Sequence, residues 1–159
     1  NQYYLSYLFN GWGFATWGDR RLLVEIENNN AYRELDDVKL NNKIKQIHPT
    51  LHKRLKDIYE GKIDAGDYKI VFYLIKNNKY MIKPNKSFVM NIGHDNSGVH
   101  CGINTKFTSE FDLDKQKVNI QDDGALEYDA SYDLQFYNYF HPKKSILSKS
   151  VNILKKLFP

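Results

Sequence analysis

The chain has 159 residues, enough for one domain around a single core, and is 42% hydrophobic and 26% charged. That balance is globular: it excludes a low-complexity chain, and no apolar run approaches the length of a membrane span. A net charge of +4 and a pI near 9.0 permit an anionic partner without demanding one, and the single Cys101 excludes an intrachain disulfide and a cysteine-based zinc site.

The chain opens on Asn1 and plunges directly into an apolar, aromatic stretch over 3–17, broken by Gly11 and Gly13. This reads as the interior of a longer protein with no signal peptide in view, and the lone cysteine suits a reducing compartment. Asp19 is a plausible N-cap for a helix over 20–27. Residues 34–47 predict a polar helix with an apolar stripe at Leu35, Val38 and Ile44. Pro49 suits the first turn of another helix, with Leu51, Leu55, Ile58 and Tyr59 on one face and Gly61 at the position after its C-cap. The clearest helix spans 67–77, with Tyr68, Val71, Phe72 and Ile75 on one stripe and acidic groups at its start. Strands are expected over 80–83 and 87–92, around a turn at Pro84-Asn85.

Residues 101–130 read as mostly irregular, with a short strand over 117–120 and a turn at Asp123-Gly124. Residues 131–140 are aromatic and helical. Residues 143–158 form a basic amphipathic helix with Leu147, Val151, Leu154 and Phe158 on one face and five lysines largely elsewhere. That helix fits two roles, a cap that hides its apolar face or a peripheral anchor on anionic lipid. The expected fold class is α+β: a small antiparallel or mixed sheet around 79–92, packed by helices. Residues 1–130 form the main unit and 131–159 an aromatic and basic helical tail.

The chemistry concentrates in Asn91 to Cys101, which holds two histidines, an aspartate, two asparagines and two glycines directly after a strand-like run. Glycines let a backbone approach a ligand, and His and Asp hold metals or phosphates or move protons. His94 and His100 beside Asp95 suit a hard metal or a phosphate, yet they fall short of a zinc ligand set. Asp64 and Asp67 each fit a helix cap or a general base. Gly11-Trp12-Gly13 is too short for a phosphate cradle and fits a tight aromatic turn or a sugar platform. Asn85-Lys86-Ser87 matches a glycosylation sequon, a triplet common by chance.

Three of these segments, in order, resemble the back half of bacterial family-2-like GT-A glycosyltransferases of the capsule and O-antigen type. Phe9-Asn-Gly-Trp-Gly-Phe-Ala-Thr-Trp17 is similar to that family's Trp-Gly-Trp-Ala-Thr-Trp segment. Gly61-Lys-Ile-Asp-Ala-Gly-Asp-Tyr-Lys69 resembles its acidic helix start, and Tyr80 to His100 resembles its proline, strand, Asn-Ile-Gly and Gly-Thr-His series. The likeness covers about 9–105 and leaves the last 50 or so residues without a motif. Departures include Gly66 and Ile70 where tryptophans are usual, Val99 for Thr, and Gly18 and Arg21 for Lys and Trp. Asp112-Leu-Asp114 has the letters of the family's metal motif in the wrong place.

The resemblance implies a partial GT-A-like unit that transfers a sugar, with inversion, from a nucleotide-sugar to a glycan or lipid-linked hydroxyl. It implies Asp67 as base, with Asp64 as the alternative. It places Trp12, Gly13, Trp17, Asn91, Gly93, His94 and Asp95 at the substrates and His100 near a divalent cation, Mg or Mn, held mostly by a preceding front half. It further implies an isolated segment that is inactive and binds nucleotide-sugar poorly, and that self-associates through a sheet edge left open. A cytoplasmic location is implied, with possible contact to the inner membrane face through 143–158, and no nucleic acid is expected. Two rival readings accompany it: a non-catalytic module that binds glycan or nucleic acid, and a degenerate transferase kept as a scaffold. A nucleic-acid module would account for the charge and the aromatics, but not for three motifs in order.

Overall fold

The computed structural model describes residues 2–11, 13–20, 33–89, 96, 124 and 126–142. Its centre is a helix, α3, spanning Gly66–Lys76, in which Val71 through Ile75 are all buried. Five consecutive buried positions mean that the C-terminal half of this helix is covered on every side, so Tyr73 and Leu74 are buried beyond the stripe that the spacing predicts. Burying Phe72 and Ile75, which are 1% and 0% exposed, stabilises the fold by roughly 1.5–3 kcal/mol per side chain.

Two shorter helices pack on α3. Helix α1, Val38–Ile47, contributes Ile44, and helix α2, Leu51–Tyr59, contributes Leu51 and Leu55. A 3-10 turn at Arg33–Asp36 precedes α1 and buries Leu35. The expected single helix over 34–47 is therefore broken. Asp37 caps α1 by accepting the Leu40 N–H at 2.8 Å, so Val38 falls in the first turn and is 72% exposed instead of joining the stripe. Tyr59, in the last turn of α2, is likewise 66% exposed. Gly61 does occupy the position after the C-cap, with φ +69°. The Lys62 N–H bonds to the Asp57 carbonyl at 2.8 Å and the Gly61 N–H to the Ile58 carbonyl at 3.0 Å, a complete Schellman ending.

The C-terminus of α3 is closed in a related way. Asn78 adopts φ +50° and the Lys79 N–H reaches the Leu74 carbonyl at 3.0 Å. The Lys43 ammonium of α1 donates to the Ile75 carbonyl at 2.7 Å and to Asn78 Oδ1 at 2.6 Å. A cation thus sits at the negative end of the helix dipole and ties α1 to α3.

The described sheet has two antiparallel strands. Strand β1, Tyr3–Ser6, pairs with β2, Met81–Pro84, with Tyr3 opposite Pro84 and Ser6 opposite Met81. The fold class is α+β, as expected, but the partner of the first predicted strand is not its neighbour in sequence. Residues 87–89 do not pair. Ser87 Oγ donates to the Val89 carbonyl at 2.7 Å and accepts from the Val89 N–H at 3.3 Å, so local side-chain bonds occupy groups that a ladder would need.

Helix α4, Ala130–Phe140, is capped by Asp129, whose carboxylate accepts the Ser131 N–H at 2.8 Å. This confirms the helix expected over 131–140. It packs on β1 and α1, with Phe136 and Tyr137 against the core. Residues 18–20 are helical, with the Arg20 N–H bonded to the Trp17 carbonyl at 3.1 Å, so Asp19 lies inside the first turn instead of capping it. The remainder of the predicted 20–27 helix, the strand over 117–120 and the basic helix over 143–158 lie outside the described residues. No helix among the described residues is long and apolar enough to cross a membrane.

Candidate functional site

A groove of about 690 Å³ opens between the start of α3 and the C-terminal half of α4. Its α3 side carries Asp64, Ala65 and Asp67, and its α4 side carries Phe136, Tyr137 and Phe140. His48, Tyr68 and Phe9, all less exposed than the two carboxylates, also line it.

Neither carboxylate is a cap. The N-cap of α3 is Ala65, which makes no side-chain capping bond, and Asp67 lies in the first helical turn. The capping reading of Asp64 and Asp67 is thereby corrected. Both residues are exposed overall, yet partial burial of the Asp67 carboxylate pushes its pKa above the ordinary carboxylate value. A carboxylate with raised pKa, partly stripped of water, is a better proton acceptor than a free one.

Gly11 stands directly against that carboxylate. A β-carbon at Gly11 would lie 3.6 Å from both Asp67 oxygens. Gly13, at φ +67°, is packed so closely on Val89 that a β-carbon there would meet Val89 Cγ1 at 2.4 Å. Residues 9–17 thus touch both the 61–69 segment, at Asp67, and the 80–100 segment, at Val89, although the three are widely separated in sequence. The glycines of the first segment allow both approaches.

Trp17 is 67% exposed, and the Arg20 guanidinium lies 4.3 Å over its ring. Phe14 is 48% exposed and meets the edge of Phe9 at 4.9 Å. Trp12, Asn91, Gly93, His94, Asp95 and His100 lie outside the described residues. Among the described residues no three His, Cys, Asp or Glu side chains converge as a metal site.

His48, at the C-cap of α1, was not among the residues singled out from sequence. It is 8% exposed, meets the rings of Tyr68 and Tyr137 edge-on at 5.8 and 5.2 Å, and lies 6.3 Å from His141. Burial drives its pKa down to about 4, with the nearby charges of His141 and Arg54 acting in the same direction. The imidazole is neutral at pH 7.

No protein-family model, curated protein or solved structure matches this chain. The site therefore rests on its own geometry.

What holds α4 at the groove is Asp133, the buried charged residue of that helix at 2% exposure. Its carboxylate accepts the Ser6 hydroxyl at 2.5 Å, the Tyr7 N–H at 2.9 Å and the Tyr128 hydroxyl at 3.1 Å. Beside it the rings of Tyr7, Tyr80 and Tyr128 cluster at 4.6–5.1 Å between centroids, and the Tyr7 hydroxyl donates to Tyr80 Oη at 3.0 Å. Lys83 of β2 lies 4.5 Å over the Phe136 ring. Burial lowers its pKa to about 8, while the Asp133 charge pulls it back up. The sequence signal for this arrangement is the spacing of Asp133, Phe136, Tyr137, Phe140 and His141. At helical period these positions share one stripe.

Proposed function

We propose that this chain is the acceptor-side part of an inverting glycosyltransferase that moves a sugar from a nucleotide-sugar to a glycan or lipid-linked hydroxyl. The observation that carries the reading is the convergence of Gly11 on the Asp67 carboxylate and Gly13 on Val89. The first of the three segments touches each of the other two, and the Asp67 carboxylate at one of these contacts lines a groove large enough for a small ligand and has its pKa raised by partial burial.

In this reading Asp67 takes the proton of the acceptor hydroxyl as that oxygen attacks the anomeric carbon. The new C–O bond forms on the face opposite the leaving group, and the bond to the nucleotide diphosphate breaks with its electron pair going to the diphosphate. Asp64, on the same α3 wall, is the alternative base. A divalent cation, when bound, would offset the charge of the leaving diphosphate, with His100 as the residue the resemblance implies beside it. The same reading carries a cytoplasmic location and pairing of copies of this chain through a sheet edge.

The test uses the gene product that contains these residues, supplied with nucleotide-sugars, a divalent cation and saccharide acceptors. Asp67→Asn keeps the shape and removes the base, so kcat should fall by about 10²-fold or more with the donor KM little changed. An Asp67→Asn enzyme as fast as the parent, or a gene product that transfers no sugar, would overturn the reading.

A further inference from the structure

The groove has two unlike walls. The α3 wall presents the carboxylates of Asp64 and Asp67, and the α4 wall presents aromatic rings. His141 lies flat on Tyr137 at 4.3 Å with an interplanar angle of 13°, and Phe140, 45% exposed, packs on Phe136 at 4.7 Å. None of the described lining residues is a lysine or an arginine. His48, buried in the groove lining, adds no positive charge, since burial keeps it neutral down to about pH 4.

This composition selects a class of ligand. A phosphate or diphosphate in the groove would meet two carboxylates, a like-charge contact in a partly dewatered space, while the cations Lys83, over Phe136, and Arg54, over Tyr68, are not among the described lining residues. A polyol meets what it needs. Its hydroxyls donate to carboxylate oxygens in charge-assisted bonds, and the C–H face of a sugar ring packs on an aromatic face. The α4 wall lies beyond the part of the chain that carries the three motifs, so it adds a determinant those motifs do not contain. Asp133 holds it through three hydrogen bonds, from Ser6 at the end of β1, from the following Tyr7 N–H and from Tyr128, which is how a stacking surface keeps its orientation.

We infer that this groove binds an uncharged glycan, with Phe140 and the Tyr137–His141 stack as the platform for one sugar ring and Asp64 and Asp67 as acceptors for its hydroxyls. That this glycan is the acceptor substrate rests on the transferase reading; that it binds here does not. Phe140 and His141 are then specificity-determining positions, and the donor diphosphate binds elsewhere.

The experiment is saturation-transfer NMR on the 159-residue chain with a panel of methyl pyranosides and neutral disaccharides. Inorganic pyrophosphate serves as the anionic competitor. At least one saccharide should saturate, with transfer strongest at the ring C–H protons. Phe140→Ala should weaken it by about tenfold, and Phe140→Trp should restore it. Phe140 is in the last turn of α4 and partly exposed, so an unchanged urea midpoint in both variants certifies the fold. The inference is overturned if no neutral saccharide binds, if pyrophosphate displaces the bound one, or if Phe140→Ala leaves its affinity unchanged. The two readings fail separately. Phe140-dependent glycan binding by a gene product that transfers no sugar removes the transferase and keeps the site. Transfer whose acceptor KM ignores Phe140→Ala removes the site and keeps the transferase.

Discussion

Replacing Asp133 by alanine tests how α4 is fixed. The three donors that now reach its carboxylate would not suffer equally. The Tyr7 N–H, in a residue 3% exposed, would lose its acceptor at 2.9 Å inside the core. Orphaning such a group costs about 1–3 kcal/mol. The Ser6 hydroxyl has the Leu8 carbonyl at 3.4 Å as a poorer alternative, and the half-buried Tyr128 hydroxyl can turn toward water. Together these add about 1–2 kcal/mol, and relief of the buried charge returns part of the sum. A net loss of about 3 kcal/mol is expected, a large share of the roughly 5–15 kcal/mol that holds a domain together. Asp133→Asn keeps one acceptor oxygen but turns an NH2 toward donors, so a loss of about 2 kcal/mol is expected. Urea unfolding followed by far-UV circular dichroism gives both values from the shift in midpoint at constant m. Hydrogen exchange should show lost protection along α4 and at Tyr7 first. An Asp133→Ala variant within about 1 kcal/mol of the parent, or with unchanged exchange along α4, would refute the reasoning.

Stability should fall as the pH drops from about 6.5 to about 4, because the unfolded chain binds a proton at His48 that the folded one refuses until about pH 4. The full effect is roughly 3 kcal/mol, and His48→Phe should flatten it in a comparison of urea midpoints at pH 7 and pH 4.5. The groups facing His48 that shape this window are His141, Arg54, Tyr68 and Tyr137. Gly13→Ala combines a left-handed φ with a clash on Val89 and should cost about 2 kcal/mol in the same assay. Gly18→Ala, where a β-carbon meets nothing within 4 Å, should be neutral or slightly stabilising.

Periodicity made the helices of this chain legible in advance. The spacing of Val71, Phe72 and Ile75, of Leu51 and Leu55, and of the aromatics over 131–140 is a local property, and tertiary packing did not oppose it. Gly61 was legible for the same reason, since only a left-handed position after a helix needs a glycine there. The break before Val38 was not, because Asp37 competes with the preceding residues for the helix start and periodicity is blind to that competition. The strand partner of Met81–Pro84 was missed because its mate lies at Tyr3–Ser6, across most of the chain, while Ser87 satisfies its neighbours locally. The candidate site divides along the same line. Sequence pattern marked Asp64, Asp67, Gly13 and Trp17 as chemistry. Only the folded chain set Gly11 against Asp67, buried His48 until its charge became costly, and swung α4 across the groove on the hydrogen bonds of Asp133. A proton's affinity and a wall's position depend on which distant groups exclude water, and no local spacing records that.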